Sequence, residues 1–187
     1  MTILVTGATG TVGRHVVDQL VNKGEKIRAV SRNPAKANLP KRVEVVEGDL
    51  TVPESLQAPF QGITALYLIL SSDNAASPLQ TNPKVIELAG KARVKRVTVL
   101  MDYEGNPIEQ VLKDSGMEWT LLKPVEFMAN VLADWLESIR SEGVVREPFG
   151  DVLSARVHEA DIAAVAVETL IKDGHHGKSY FLTGPQV

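Results

Sequence analysis

The chain has no cysteine. This absence excludes disulfides, thiolate metal sites and a cysteine nucleophile, and it fits a reducing compartment such as the cytoplasm. No uninterrupted apolar stretch approaches the roughly 20 residues of a membrane span, and the apolar run at residues 3–5 lacks the basic flank of a secretory leader. The formal net charge is only -3 over 187 residues, which gives no reason to expect nucleic-acid binding through bulk electrostatics. We therefore expect a soluble, cytoplasmic domain.

Three regularly spaced glycines stand near the start of the chain. Gly7, Gly10 and Gly13 follow the apolar run at 3–5 and lead into a helix-like pattern that starts at Thr11. Strand, glycine turn and helix form the dinucleotide-binding fingerprint, here spaced G-x-x-G-x-x-G. The first glycine allows a sharp turn, the second lets the backbone approach a pyrophosphate, and the third lets the helix pack closely. The alternative is a purely structural turn, which the flanking strand and helix disfavour.

A basic residue, Arg32, follows the second predicted strand at 26–30. In NAD-preferring proteins an acidic residue near this point holds the ribose 2′-hydroxyl, whereas arginine meets a 2′-phosphate and stacks on adenine. The sequence therefore predicts a preference for NADP(H), with NAD(H) still possible, and the alternative is a solvated loop arginine. Lys36 and Arg14 are surface residues that would add positive charge to the same region.

The third predicted strand, at 43–47, runs into Gly48, Asp49 and Leu50. We expect Asp49 to accept a hydrogen bond from the adenine amino group and Leu50 to cover the ring. A second role for Asp49, starting a turn or capping a short helix near Pro53, is compatible with the first.

Apolar runs continue to alternate with helix-like patterns to the end of the chain. Further strands are predicted at 65–70, 94–100, 119–122 and 179–182, and further helices at 83–92, 104–115, 126–141 and 161–170. This alternation indicates an α/β protein, a doubly wound parallel sheet of the Rossmann type with helices on both faces, in a single domain over 1–187. The apolar residues of the long helix are expected in the core: Phe127, Met128, Val131, Leu132, Trp135, Leu136 and Ile139.

Several stretches, taken together and in order, resemble one family: residues 6–13, 31–34, 47–50, 122–128, 158–163 and 175–185. They resemble the NmrA-like atypical short-chain dehydrogenase/reductases, which include NAD(P)H-binding regulators and NAD(P)H:quinone or azo-dye reductases. The resemblance covers essentially the whole chain. It implies NADP(H) contacts at Gly7, Thr9, Gly10, Thr11, Val12, Gly13, Arg32, Asp49, Leu50, Leu70, Ser71 and Pro124.

The chain departs from that family's pattern in two respects. Short-chain reductases use a tyrosine with a lysine four residues later, which lowers the phenol pKa, and none of Tyr67, Tyr103 and Tyr180 has such a lysine. Tyr103 and Lys123 are the candidate catalytic residues, with a structural role as the alternative for Lys123. The family also continues beyond the element at 183–185, so residues 124–187 are expected to form a reduced, open substrate side.

Two functions follow from this combination. The first is a reductase that passes hydride from NADPH to a small quinone-like acceptor, with a proton from water or Tyr103. The second is a non-catalytic NADP(H) sensor that acts through a protein partner, which the absent Tyr-Lys pair favours. His158, Asp161, His175 and His176 do not converge enough for metal ligation, so capping or surface roles are predicted for them.

Overall fold

Seven parallel strands form one sheet within the residues that the computed structural model describes, 1–70, 81–101, 105–147 and 150–186. The strands are β1 (Thr2–Val5), β2 (Lys26–Ser31), β3 (Glu44–Glu47), β4 (Ala65–Ile69), β5 (Arg96–Leu100), β6 (Glu118–Pro124) and β7 (Lys178–Leu182). Their spatial order is β3-β2-β1-β4-β5-β6-β7. The order reverses between β1 and β4, which makes the carboxyl edge at that point the place where such sheets bind ligands.

Helices cover both faces of the sheet, as predicted. They are α1 (Gly13–Asn22), α2 (Lys84–Lys91), α3 (Pro107–Lys113), α4 (Asn130–Asp134), α5 (Leu136–Glu142) and α6 (Glu159–Ile171), with short 3-10 helices at Pro34–Lys36 and Pro53–Leu56. Alternate residues of β1 pack on opposite faces of the sheet, because side chains alternate along a strand. Ile3 and Val5 join the core shared with α1 and α6, and Leu4 joins the core shared with α2 and α3. The doubly wound α/β fold is thus confirmed.

The central strand β4 explains the longest apolar run in the sequence. Leu66, Tyr67 and Leu68 are fully buried, since β4 pairs with β1 on one side and β5 on the other and has helices over both faces. A parallel strand in this position is apolar on both faces. Its carboxyl end lies beside that of β1, where Val5 pairs with Tyr67.

The long helix predicted at 126–141 is wrong in both its extent and its burial. Phe127 instead forms an isolated bridge with Val157, and the helical part is divided at Trp135 into α4 and α5, neither of which has a buried residue. The chain leaves β6, passes through α4 and α5, and returns beside its own starting point. Because α6 is the helix that crosses the sheet face to β7, α4 and α5 have no sheet to cover.

We call residues 126–156 the β6–α6 excursion. It is held at its base by the side chain of Arg156, whose Nε lies 2.8 Å from a carboxylate oxygen of Glu126. The same guanidinium stacks 4.4 Å from the centroid of the Trp135 ring, and the Trp135 Nε1 donates to Glu147 at 2.6 Å. Polar and cation–π contacts therefore hold α4 and α5, which have no buried residue. Phe127, at the start of the excursion, packs against the core shared with α1 and α6.

Candidate functional site

The glycine turn between β1 and α1 is built on close contacts that only glycine permits. Gly7 has a φ of +59°, and the Gly10 amide donates a 2.9 Å hydrogen bond to its carbonyl. A Cβ on Gly7 would lie 2.4 Å from the Ile69 side chain, and one on Gly13 would lie 2.0 Å from the Gly7 carbonyl oxygen. Helix α1 therefore starts in direct contact with the turn, which fixes the direction of its axis.

The first turn of α1 presents backbone donors that the protein itself leaves unused. Within the described ranges the amides of Thr11, Val12 and Gly13 donate no hydrogen bond, and the first amide that does is that of Arg14, to Gly10. The helix has neither a side-chain cap nor an acidic residue in its first turn. Unpaired amides at the positive end of a helix dipole form an anion site.

A cleft of about 700 Å³ opens beside this turn. It runs along the carboxyl ends of β1, β2 and β3. Its lining includes Ile69 at the end of β4, Arg14 of α1 and residues that follow the first three strands: Thr6, Gly7, Thr9, Arg32, Asn33, Lys36, Gly48, Asp49, Leu50 and Thr51. A Cβ on Gly48 would lie 2.8 Å from Leu56 and 3.0 Å from Val30. Glycine thus leaves room for these two side chains where the chain passes from β3 into the cleft wall.

Positive charge dominates the lining of this cleft. Arg14, Arg32 and Lys36 all line it and are exposed, and none of them forms an ion pair within the part of the chain that the structure describes. Asp49 is the one acidic residue of the lining. Three cations against one carboxylate leave a net charge of +2 at a site whose chain carries -3 overall, so the cleft is suited to a polyanionic ligand.

Asp49 takes the turn-forming role that the sequence predicts for it, and its contact with adenine stays a prediction. Its Oδ1 accepts hydrogen bonds from the amide and the hydroxyl of Thr51, each at 2.8 Å, which confirms the turn-forming role. The Asp49 amide in turn donates to the Ser55 hydroxyl at 2.9 Å. These bonds hold the carboxylate in the cleft wall beside Leu50, whose side chain is buried but also lines the cleft.

The structure brings together most of the predicted cofactor residues. Five of them line the cleft, namely Gly7, Thr9, Arg32, Asp49 and Leu50, and the glycine turn and helix start contain Gly10, Thr11, Val12 and Gly13. Leu70 packs its side chain into the core shared with α2 and α3, and Pro124 ends β6 away from the cleft lining. Ser71 lies outside the described residues, as does Tyr103.

Lys123, the second candidate catalytic residue, lies on β6 and not in the cleft. Its ammonium is 5.6 Å from the centroid of the Phe181 ring, on the neighbouring strand β7. Of the two tyrosines that the structure describes, Tyr67 is fully buried, and desolvation raises the pKa of its phenol well above the ordinary value of 10.0. The hydroxyl of Tyr180 lies 2.8 Å from His175 Nδ1.

Sequence reasoning missed Thr6 as part of the site. Its buried hydroxyl donates to the Tyr67 carbonyl and accepts from the Ile69 amide, both at 3.0 Å, which ties the end of β1 to the end of β4. Ser31, at the end of β2, orders the next loop by accepting a 3.1 Å bond from the Asn33 amide. A hydroxyl residue directly after an apolar strand run is the signal that would have indicated both.

The histidines take structural roles. His158 caps α6, since its Nδ1 accepts a hydrogen bond from the Ala160 amide at 3.0 Å, which confirms the predicted capping role. His176 Nδ1 accepts from the Trp119 amide at 3.3 Å. Among the described residues, no group of three or more His, Cys, Asp or Glu side chains is arranged to hold a metal ion, and no described helix has the length and apolarity to span a membrane.

Comparison with known proteins agrees with this site. Residues 7–106 match the model of a family described as NAD(P)H-binding. The chain is 35% identical to (4-alkanoyl-5-oxo-2,5-dihydrofuran-3-yl)methyl phosphate reductase of Streptomyces griseus and 32% identical to NAD(P)H azoreductase of Xenophilus azovorans. Each alignment covers 98% of this chain and 68% of the relative.

Among solved structures, the chain is similar to an NADPH-dependent quinone oxidoreductase from Escherichia coli complexed with NADPH. The TM-score is 0.85 at 31% identity, over 98% of this chain and 70% of the other. The chain therefore belongs to the NAD(P)H-binding family of NmrA-like atypical short-chain dehydrogenase/reductases, as its motifs predict.

Proposed function

We propose that this protein is an NADPH-dependent oxidoreductase that passes hydride to a small, quinone-like acceptor. The observation that carries the proposal is the cleft itself, where unpaired amides of the glycine turn lie beside Arg14, Arg32 and Lys36. NADP(H) carries a diphosphate and a further phosphate on the adenosine ribose, so it matches both halves of this surface. The relatives named as reductases support the redox activity.

Different residues of the cleft would bind different parts of the cofactor. The amides of Thr11, Val12 and Gly13 would hold the diphosphate, and Arg32 would meet the 2′-phosphate, because a planar guanidinium donates two hydrogen bonds to one phosphate. Asp49, held by Thr51, offers an acceptor for the adenine amino group. The buried side chain of Leu50 supplies an apolar surface for the ring.

The chemistry itself belongs to the nicotinamide, which supplies the hydride when NADPH is bound. The contribution of this chain is to fix the adenosine end firmly, so that the reactive ring is positioned over the carboxyl edge of the sheet. On the proposed division of the domain, residues 124–187 provide the acceptor side, with the β6–α6 excursion as its cover. Tyr103 and Lys123 remain the proposed catalytic residues.

A non-catalytic NADP(H) sensor is the second candidate, and one observation favours it. Of the described tyrosines, Tyr67 is buried with a strongly raised pKa, and Tyr180 is engaged with His175 on the outermost strand. Neither has the lysine partner that would make it an efficient proton donor. A protein that binds NADPH tightly but does not oxidise it would fit this alternative.

Calorimetric titration with NADPH and NADH separately tests the cofactor site. We expect NADPH to bind more tightly, and Arg32→Ala to remove that preference, at a cost of about 1.5–3 kcal/mol for a charge-assisted hydrogen bond, or roughly 10- to 100-fold in affinity. Affinity for NADH should fall less, because NADH lacks the 2′-phosphate and would lose only the stacking of Arg32 on adenine. Arg42→Ala is the matched control, because Arg42 is also an exposed arginine but does not line the cleft. Equal affinity of the wild type for both nucleotides would refute the role of Arg32.

Turnover separates the two candidate functions. NADPH oxidation is followed by its absorbance with and without a simple quinone, in the wild type and in Arg32→Ala. Quinone-dependent oxidation whose KM for NADPH rises in the variant supports the reductase. Tight NADPH binding without oxidation across a panel of quinones and azo dyes would contradict the reductase function and support the sensor function.

A further inference from the structure

Exposed apolar side chains are concentrated in one segment of the molecule. Of the eleven large hydrophobic residues exposed among those the structure describes, eight lie between 128 and 153: Met128, Leu132, Leu136, Ile139, Val144, Val145, Val152 and Leu153. The rest of the described chain contributes only three, Met1, Val52 and Phe181. A monomer seldom gathers exposed apolar residues in this way unless the surface binds something.

Three of these residues form a continuous stripe on α4 and α5. Leu132 on α4 and Leu136 on α5 line the same depression, and Leu136 and Ile139 are three residues apart, on one side of α5. Their exposed fractions are 63%, 37% and 45%. Trp135, at the junction of the two helices, stacks on Arg156 at the base of the excursion. The stripe is therefore the outward surface of a segment that is itself anchored.

A shallow depression of about 430 Å³ lies beside the stripe, and two charged side chains line it. Glu137 and Arg140 line this depression together with Leu132 and Leu136. Both side chains are exposed, and neither forms an ion pair with any described residue. An unpaired acid and an unpaired base thus stand one helical turn apart beside an apolar stripe.

We propose that α4 and α5 form a two-fold interface with a second copy of this chain. In such an interface the same patch meets itself, and with the two-fold axis perpendicular to α5 the two copies of this helix run antiparallel. Leu136 and Ile139, which lie nearest the axis, then pack on the same residues of the other copy. The Glu137 of each copy faces the Arg140 of the other, so the interface contains two ion pairs. This self-complementarity of charge favours a second copy over a different partner, which would need a pattern of its own to match.

Sedimentation velocity over a range of concentrations tests the proposal. We expect the wild type to dimerise reversibly and Leu136→Asp to be monomeric at every concentration. Glu137→Arg and Arg140→Glu should each weaken the dimer by about tenfold or more, since like charges then oppose each other across the axis. The double variant with both changes should return to within a few-fold of the wild-type dissociation constant, because the charges are again complementary.

Matched controls keep the experiment decisive. Val152→Asp introduces the same charge on an exposed residue of the same excursion but outside the helices, and it should leave dimerisation unchanged. None of the substituted residues is buried, so circular dichroism should show an intact fold in every variant. A wild type that stays monomeric up to about 100 μM, or a double variant no tighter than the single ones, would overturn the proposal. In the first case a different protein becomes the occupant to seek.

Discussion

The sheet with its covering helices and the β6–α6 excursion are held together by different forces. In the sheet region, α1 and α6 pack on each other and on the strands, and their apolar residues such as Val16, Leu20 and Ile162 are completely buried. In the excursion, α4 and α5 bury nothing, and the anchors are Arg156, Glu126 and Trp135. Apolar burial sums over many contacts, whereas a few polar anchors can open one at a time.

This difference matches a division of labour in the proposed function. The cofactor cleft is lined by residues 6–69 alone, at the ends of strands and in the loops that follow them. Binding sites on rigid elements hold their geometry, which suits an invariant cofactor. The excursion follows β6 as a loosely held surface. A segment of this kind adapts to different acceptors or partners without disturbing the cleft.

The largest expected effect is a contrast between two leucines. Leu20 on α1 is fully buried, so Leu20→Ala should lower the free energy of unfolding by about 2–5 kcal/mol through lost burial and the cavity left behind. Leu132 on α4 is 63% exposed. Leu132→Ala should therefore change the free energy of unfolding by less than about 0.5 kcal/mol. Urea denaturation followed by circular dichroism, below the dimerising concentration, measures both. Similar losses in the two variants would mean that α4 is packed on the core after all.

A smaller change, this time an increase in the free energy of unfolding, is expected from a substitution in the core of the sheet region. The Tyr67 hydroxyl is buried and has no hydrogen-bond partner among the residues that the structure describes, which costs the folded state about 1–3 kcal/mol of desolvation. Tyr67→Phe keeps the ring and removes that group, so the free energy of unfolding should rise by up to this amount. Thermal and urea unfolding give the comparison with the wild type. A loss of stability would show that the hydroxyl is satisfied, for example by a buried water.

The smallest effect concerns pH and the excursion. The Arg156 guanidinium lowers the pKa of Glu126 from its ordinary value of 4.5, against a weaker opposing effect of partial burial. Because the folded-state pKa is the lower one, the ion pair contributes fully above the unfolded-state value and is lost as pH falls through the folded-state value. The excursion should therefore loosen below about pH 4.5, while the sheet region stays intact.

Trp135 fluorescence reports this loosening directly, in a Trp119→Phe background that leaves Trp135 as the one tryptophan. Glu126→Gln should remove the acid-induced step, since the amide does not titrate. A step that persists in this variant would assign the change to another carboxylate, such as Glu147, which accepts the hydrogen bond of the indole.

The sequence was most informative where local pattern and burial agree. The glycine spacing, the apolar run at 65–70 and the strand–helix alternation predict the sheet, because strands buried on both faces leave no ambiguity of period. The prediction of a buried helix at 126–141 was wrong because local pattern and burial disagree there. Its apolar residues recur at helical spacing, but periodicity does not reveal whether a surface exists for them to cover. That depends on α6, which follows in the sequence and occupies the sheet face.

The candidate site was predictable to the extent that it depends on backbone geometry and charge. Gly7, Gly13 and Arg32 follow from motif spacing, since strain at a turn and an unpaired cation after a strand have local causes. Thr6 was missed because its role is to join β1 to β4, two strands about 60 residues apart in the chain. Bonds between distant strands leave no periodic trace in the sequence.

The excursion also divides the chain into two parts. The fold does not require a covalent connection between them. Helix α6 and strand β7 come after it, yet they dock on α1 and β6, which come before it. A single cut in the exposed stretch at 144–147 would leave a first fragment with six strands and the entire cleft, and a second with α6 and β7. The second fragment would complete the core under α1, the helix whose start forms the proposed phosphate site. The chain is thus suited to fragment complementation, with restored nucleotide binding as the signal that the two halves have met.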